Sequence, residues 1–259
     1  MSKINVNTWE PESGTALTMG ASGDTTTVPS GASLVVASGA TINITGATQT
    51  GFPSAGFSDV DATTATGSTT YTVPTDITKL LVFITGGGGG GGDGDTVQGC
   101  GAVAGTTVIA RVTVVAGDTI TIAVGAGGTV SGSYGYDGNI GGDSTFTHAS
   151  GSGSGSMSTI TAPGGKPGRY NAAIVAPAAG TVGANNEGIS ILGGYGTAEG
   201  LPNGGASFWG GGGQGAWPGL QQATAGTSYG SGGGGGSSTA SYKSSAAGAN
   251  GVCFIMEFK

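Results

Sequence analysis

The sequence predicts an all-β protein, with a short N-terminal β-solenoid or trimeric stem followed by a glycine-rich, β-sandwich-like head. Glycine supplies 59 of the 259 residues and forms uninterrupted runs at 86–92, 210–213 and 232–236. Segments of β type, such as the apolar stretch 79–85, stand directly beside these runs. No window keeps a helical period without a glycine interruption, so we expect no helix.

The N-terminal part divides into an arm and a stem. Residues 1–24 are predicted to form an attachment arm ordered by a neighbouring molecule, because Pro11 and Gly14 interrupt any regular element. Residues 25–68 are predicted to form a stem and neck, because Gly-Ala dipeptides and β-branched stretches alternate over 31–47 at a spacing typical of a narrow β-solenoid. A single coil of this kind cannot bury its apolar face. We therefore expect a homotrimer.

Residues 69–259 are predicted to form the glycine-rich head. The segment 80–85 is apolar on both faces, as a central strand covered on both sides requires. The terminal segment 251–258 is equally apolar, so we expect the two to pair or to lie adjacent in one core. A hairpin is expected between 108–115 and 119–124. Further strands are predicted at 70–73, 143–147, 157–162 and 188–192.

The composition argues against several classes of protein. Charged residues make up 8% of the chain, against roughly 25% in an ordinary domain. A net charge of −7 with seven scattered basic residues does not suit nucleic acid, which requires a basic stripe. Neither a signal peptide after Lys3 nor an apolar membrane span is visible. We expect synthesis in a cytoplasm without membrane insertion, and we read Cys100 and Cys253 as buried apolar residues.

The glycine runs allow two interpretations. Polyglycine can adopt the left-handed helix of three residues per turn that proline adopts. Such helices exchange N–H and C=O groups side by side, and the missing Cβ lets them approach closely. The alternative is a flexible linker. Ordered packing is favoured because the run 86–92 leaves directly from the strand-like segment 79–85 and because such runs recur within one domain.

The order of motifs along the head resembles the glycine-rich domain of bacteriophage tail fibres and tail-fibre adhesins. The resemblance covers about residues 69–259 and lies in the order of the motifs, since each motif alone is of low complexity. The matching stretches are Tyr71-Thr72-Val73-Pro74, the segment 79–85 running into 86–92, and the segments 117–128, 141–146 and 248–258.

This resemblance implies a virion-attached, often trimeric fibre component in which loops between polyglycine helices contact the host receptor. The glycine runs are shorter and fewer than in the most regular members, so a helical sandwich and a β-sandwich with glycine loops both remain open. We expect a tail fibre or adhesin in the virion, bound to other virion proteins through the arm and to a host surface glycan or protein through the head. A capsid decoration or head fibre protein is the alternative. A polysaccharide depolymerase and an ice-binding protein are disfavoured by the dispersed acids and the irregular glycine spacing.

No motif points to an enzyme, and we expect no catalytic residue, cofactor or metal. The single histidine, His148, is expected in a surface loop. Asp93 and Asp95 flank Gly94 and lack the further acids of a calcium loop. We therefore interpret them as residues of a turn that interrupts the glycine-rich stretch. The run 86–92 lacks the Gly-Lys-Ser/Thr ending of a nucleotide-binding loop.

Aromatic residues in glycine- and serine-rich loops are the candidates for receptor binding. Exposed Tyr and Trp give a large contact area at low entropic cost. The segment 193–220 is rich in them and is the expected recognition tip. The alternative for Trp209 and Trp217 is that they fill the core between glycine layers. The candidates are Tyr134, Tyr136, Tyr170, Tyr195, Phe208, Trp209 and Trp217.

Overall fold

The computed structural model describes residues 56–151, 157–198, 200–217, 221–238 and 244–259. These residues contain strands and no helix, which confirms the all-β class. The arm and most of the stem predicted for residues 1–68 lie outside the described residues. The strands are β1 (Phe57–Thr63), β2 (Gly67–Thr72), β3 (Lys79–Thr85), β4 (Thr107–Thr113), β5 (Thr119–Val124), β6 (Ser144–Ser150), β7 (Ile160–Ala162), β8 (Glu187–Ile191) and β9 (Val252–Phe258).

The strands form two antiparallel sheets. One has five strands in the order β1-β9-β3-β4-β8, and the other has four in the order β2-β5-β6-β7. The central strand β3 pairs along its full length with β9 on one side and β4 on the other. The expected pairing of the two most apolar segments is therefore confirmed. The strands predicted at 70–73, 143–147, 157–162 and 188–192 are confirmed as β2, β6, β7 and β8, with shifted ends.

The hydrophobic core lies between the two sheets. Leu80, Val82 and Ile84 point inward from β3 and are fully buried. Ile122 of β5 and Phe146 of β6 meet them from the other sheet in one continuous cluster. Burial of each such side chain contributes roughly 1.5–3 kcal/mol. On the other face of β3, Lys79 is exposed and Leu81 and Phe83 are half-buried, so the sheet is incompletely covered on its outer side.

The predicted hairpin between β4 and β5 is wrong. β4 pairs with β3 and β8, whereas β5 pairs with β2 and β6 in the other sheet. The turn between them is bound to the segment after β2, because Val73 donates to the carbonyl of Asp118 and Gly117 donates to that of Val73. β4 and β5 each bury apolar residues at every second position, and this pattern fits a strand in either sheet. The chain here crosses between the sheets instead of turning back within one.

The glycine run 86–92 leaves β3 and is buried throughout. Its successive N–H groups donate in rotation to three segments, 100–106, 136–142 and 246–249, so that each segment receives every third donor. The order of the acceptors shows that these segments run antiparallel to the glycine run. The donor–acceptor pairs are Gly86–Thr106, Gly87–Gly142, Gly88–Ala249, Gly89–Val103, Gly90–Asn139, Gly91–Ala246 and Gly92–Cys100, with N···O distances of 2.8–3.1 Å.

The carbonyl groups of the same run accept hydrogen bonds from three further parts of the chain, near residue 128, at 165–168 and at 233–236. The run is thus surrounded by six other segments and is ordered by backbone hydrogen bonds. The ordered interpretation is confirmed for this run, and the flexible linker is wrong. The donor–acceptor pairs are Gly165–Gly87, Gly128–Gly88, Gly233–Gly89, Gly168–Gly90 and Gly236–Gly92.

Close approach explains why these positions are glycine. A Cβ placed on any residue of 86–92 would lie closer than 3.0 Å to backbone atoms of a neighbouring segment. The clashing atoms repeat with the same period of three residues. A Cβ on Gly86 would strike the carbonyl of Pro163, and a Cβ on Gly89 would strike that of Lys166, three residues further along the same segment. Backbone cannot move aside as a flexible side chain can, so only glycine fits.

Candidate functional site

The glycine run carries the chain from the sheets to the opposite end of the head. Its first residue lies beside Thr106, next to β4, and its last lies beside Cys100 and Gly236, away from the named strands. Past Gly92, the three loops 93–98, 131–137 and 169–172 come together. We call these three loops the distal tip.

A buried carboxylate holds the distal tip together. Asp93 is 1% exposed, and its Oδ1 accepts from the N–H and the hydroxyl of Ser245 at 2.8 and 2.6 Å. Its Oδ2 accepts from the Ser131 hydroxyl at 3.1 Å, and its N–H donates to the carbonyl of Tyr136 at 2.9 Å. One side chain therefore connects the end of the glycine run to two other segments, while Asp95 is exposed.

Three of the predicted binding residues meet at the distal tip. Tyr134 and Tyr136 are each 62% exposed. Between them Gly135 has a left-handed φ of 73°, and a Cβ added there would lie 3.5 Å from the ring of Tyr170. Tyr170 is half-buried, and its hydroxyl forms a 2.9 Å hydrogen bond with that of Thr96. The loop that carries the two exposed rings is held by the Asp93 N–H, which donates to the Tyr136 carbonyl, and by the Tyr170 N–H, which donates to Asp137.

A groove lies beside Tyr170. Its volume is about 440 Å³, within the usual range for small-molecule sites. Gln98 and Asn171 bring amide groups to it, and the Gln98 Nε2 also donates to the carbonyl of Gly200 at 3.1 Å. Burial raises the pKa of the Cys100 thiol, which lines the groove and remains neutral near pH 7. The groove thus combines uncharged polar groups with apolar surface.

The charges of the three tip loops are few and mostly negative. The side chains of Arg169 and Asp137 are 39% and 42% exposed, with the Arg169 Nε 3.5 Å from an Asp137 carboxylate oxygen. The other oxygen of Asp137 accepts from the Tyr170 N–H at 2.8 Å. With the exposed Asp95 and the buried Asp93, the tip loops carry three carboxylates and one guanidinium, and this guanidinium faces the carboxylate of Asp137.

Phe208 and Trp209 lie elsewhere, against the outer face of the five-stranded sheet. The indole N–H of Trp209 donates to the Thr85 hydroxyl at 2.8 Å, and its ring centroid is 5.0 Å from that of Phe254. Trp209 is half-buried over this sheet, so the idea that it fills the space between glycine layers is wrong. The complete aromatic cluster comprises Phe83, Phe208, Trp209, Tyr229 and Phe254.

The described residues of the segment 193–220 do not all lie together: the carbonyls of Gly200 and Ala216 accept from Gln98 of the distal tip, whereas Trp209 packs on the sheet. Tyr195 is 58% exposed on a stretch that pairs with 101–104, and Trp217 is 42% exposed beside its bridge partner Gln221. Trp217 therefore does not fill the core either. Sequence reasoning missed the polar tip residues, although they directly adjoin the chosen aromatics or the end of the glycine run. These residues are Thr96, Gln98, Asp137, Arg169 and Asn171.

His148 is not a surface-loop residue as expected. It belongs to β6, which continues to Ser150 because it pairs with β5. Its side chain is 7% exposed, and Nε2 lies 3.6 Å from Oδ2 of the buried Asp118. That oxygen also accepts from the N–H of Val115 at 3.1 Å. The histidine therefore belongs to the sheet structure and does not reach the distal tip.

A second buried polar pair lies between the sheets. The hydroxyl of Tyr71 in β2 donates to the carboxylate of Glu257 in β9 at 2.7 Å, and both residues are 7% exposed. Burial raises the pKa of Tyr71, and the hydrogen bond to Glu257 raises it further. This pair links the edge of one sheet to the other.

The comparisons with known proteins agree with this architecture. A family model described as a glycine-rich domain matches residues 63–256. The chain belongs to this glycine-rich domain family. The match begins in β1 and ends in β9, so it spans both sheets and the glycine segments between them. No curated protein matches the chain. Across the described ranges, no helix is long and apolar enough to cross a membrane.

Proposed function

We propose that this member of the glycine-rich domain family is a structural virion protein of a bacteriophage, a tail fibre or adhesin whose distal tip binds the host cell surface. The observation that carries the proposal is a packed glycine core ending in loops that expose Tyr134 and Tyr136. Binding residues commonly lie on loops that a rigid scaffold positions. Tyrosine is prominent in such surfaces because it offers a large contact area with few rotatable bonds.

The scaffold supports this role through its rigidity. We infer that residues 86–92 form a polyglycine II helix, because a helix of three residues per turn directs every third N–H to the same neighbour. Six surrounding segments then satisfy its backbone groups laterally. Such a core needs few charged side chains, in keeping with a chain in which they make up 8%.

Multivalency supplies the proposed mechanism. The Gly-Ala repeat in 31–47 favours a trimeric stem, which would present three distal tips on one fibre. Weak sites that are linked in this way gain avidity without any new contact. Residues 1–24 would attach the fibre to other virion proteins, and the assembled particle would carry the chain out of the host cytoplasm.

Adhesion accounts for the tip better than catalysis does. Asp137 is engaged by the Tyr170 N–H and faces Arg169, and Asp93 is held by two serines. His148 lies within the sheet. Both acids therefore have structural partners, the histidine does not reach the tip, and the exposed part of the tip is aromatic and polar.

Two measurements test the proposal. Mass spectrometry of purified virions from the phage whose genome encodes the chain should detect it as a component. The labelled full-length chain should bind saturably to some strains in a panel of bacteria. Substituting Tyr134→Ser and Tyr136→Ser together should weaken this binding at least tenfold. Phe57→Ala is the matched control, because Phe57 is 56% exposed and pairs with Phe258 at the end of the sheet remote from the glycine run. Absence from virions, or equal binding by the tip variant, would contradict the proposal.

A further inference from the structure

We propose that the ligand of the distal tip is an uncharged polysaccharide of the bacterial surface. This inference rests on the proposed adhesive function and names the class of receptor. Three features of the tip carry it: two exposed tyrosine rings held by a fixed loop, a groove with amide groups beside them, and a shortage of free positive charge.

The tyrosine rings suit the apolar faces of sugar rings. A pyranose presents C–H groups on its faces and hydroxyl groups at its edge, and a tyrosine offers an aromatic face with a hydroxyl at its tip. Tyr134 and Tyr136 are both 62% exposed, and their loop is bound to Tyr170, whose N–H donates to Asp137 at 2.8 Å. The carbonyl of Tyr136 is bound by the N–H of Asp93. The loop is therefore already ordered, which lowers the entropic cost of binding.

The adjacent groove suits the hydroxyl edge of a sugar. Amide side chains carry both donors and acceptors, as hydroxyl groups do. Asn171 brings an amide group to a groove of about 440 Å³, and Gln98 offers its amide oxygen there, because the Gln98 Nε2 already donates to the carbonyls of Gly200 and Ala216. Val97 and Ala172 add apolar lining. Tyr170 joins the groove to the exposed rings, because it precedes Asn171 and its N–H donates to Asp137, the residue after Tyr136. A chain of several sugar units could therefore contact rings and groove together.

The charges of the tip disfavour an acidic ligand. Phosphate and carboxylate groups are recognised by arginine or lysine, most strongly through paired hydrogen bonds. The tip loops offer Arg169, which already faces Asp137 at 3.5 Å, and they add the exposed carboxylate of Asp95. A polyanionic polysaccharide would meet more negative than positive charge.

The first experiment measures binding of the full-length chain to immobilised polysaccharides. The probes are uncharged bacterial glucans, galactans and mannans, together with uronate- and phosphate-containing polymers. We expect binding to at least one uncharged polymer and no saturable binding to the acidic ones. Tyr136→Ala and Asn171→Ala should each weaken binding at least tenfold, Tyr136→Phe should retain most of it, and Phe57→Ala should leave it unchanged. Preference for the acidic polymers, or equal binding by all the variants, would overturn the inference.

The second experiment separates this inference from the proposed function. Cells that bind the chain are treated either with periodate, which cleaves sugars that carry neighbouring hydroxyl groups, or with a protease. Loss of binding after periodate and its persistence after protease support a glycan. Loss after protease alone, with binding still sensitive to Tyr136→Ala, overturns the glycan while adhesion through the tip survives. Failure of the chain to bind any cell overturns the proposed adhesive function itself.

Discussion

At the residue scale, the glycines of 86–92 serve a purpose that differs from glycine's usual role in turns. None of them has a left-handed φ, whereas the turn glycines Gly117 and Gly135 do. Other residues could adopt the backbone conformation of these glycines, but the neighbouring backbone atoms leave no room for a Cβ. Glycine here allows close packing of backbones, at the cost of the conformational entropy lost on ordering.

Substitution of a packed glycine should therefore destabilise the head. In Gly89→Ala the new Cβ would strike the Lys166 carbonyl, and we expect the free energy of unfolding to fall by about 1–3 kcal/mol or more. Gly211→Ala is the matched control, because Gly211 is exposed, has no left-handed φ and has no atom within 4 Å of the added Cβ. That change should be neutral or stabilising by about 0.4–1 kcal/mol. Urea denaturation measures the free energy of unfolding of both variants. Equal changes in Gly89→Ala and Gly211→Ala would refute the packing argument.

The buried carboxylate of Asp93 gives a second prediction. Asp93→Ala removes the acceptor of hydrogen bonds from Ser131 and Ser245, and the N–H and hydroxyl of Ser245 would remain in a buried site. We expect a loss of about 1–3 kcal/mol in the free energy of unfolding and weaker protection of the tip loops from hydrogen exchange. Asp95→Ala alters an exposed side chain two residues away and should change stability by less than about 0.5 kcal/mol. A neutral Asp93→Ala would show that the tip is held by other contacts.

The raised pKa of Tyr71 predicts a loss of stability at high pH. Below its ordinary pKa near 10 the phenol is protonated in both states, so its contribution is fully present. As the pH rises past that value, the unfolded chain releases the proton while the folded chain retains it, and stability falls. Tyr71→Phe should flatten this decline between about pH 9 and 11, although it lowers stability at neutral pH. Tyr136→Phe removes an exposed hydroxyl, so its stability should fall with pH as steeply as that of the wild type.

At the scale of the element, apolar patterns identified the strands but not all their partners. β3 and β9 pair as expected because their apolar character on both faces suits the centre of a sheet. β4 and β5 do not form the expected hairpin, because each is apolar on one face and either sheet satisfies that pattern. The glycine run is an element of its own, with a period of three residues in its hydrogen bonds.

Hydrogen exchange distinguishes this element from a loop. Each N–H of residues 86–92 is hydrogen-bonded and buried, so these amides should exchange as slowly as those of β3 and β9. The exposed residues 95–97, directly beyond the run, should exchange at least a hundredfold faster. Exchange resolved along the chain by mass spectrometry provides the comparison. Rapid exchange throughout 86–92 would contradict the ordered core.

At the scale of the whole molecule, the two ends of the head are built differently. The sheets and their apolar core form one end, and the glycine run leads to loops at the other. Aromatic side chains follow this division, because Tyr134 and Tyr136 are exposed at the distal tip while Trp209 packs on a sheet. The low content of charged residues means that backbone and small polar groups form much of the surface.

The proposed trimer gives a prediction at this scale. Light scattering of the full-length chain after gel filtration should give three times the mass of one chain, because the repeat in 31–47 requires partners to bury its apolar face. Replacing Val35 and Ile42 by serine should shift the protein towards monomer without altering the unfolding of the glycine-rich head. A monomer at all concentrations would exclude the trimeric stem.

Local sequence patterns predicted the all-β class, the central strands and the presence of aromatic loops, and they favoured an ordered glycine run over a flexible linker. These features depend on local composition, such as the apolar faces of residues 79–85 and the glycine load beside them. Only the tertiary structure decided that β4 and β5 belong to different sheets, that His148 is buried and that Tyr134, Tyr136 and Tyr170 meet at one end. The physical reason is that a glycine carries no side-chain pattern, so its partners are set by long-range backbone hydrogen bonds that no local signal specifies.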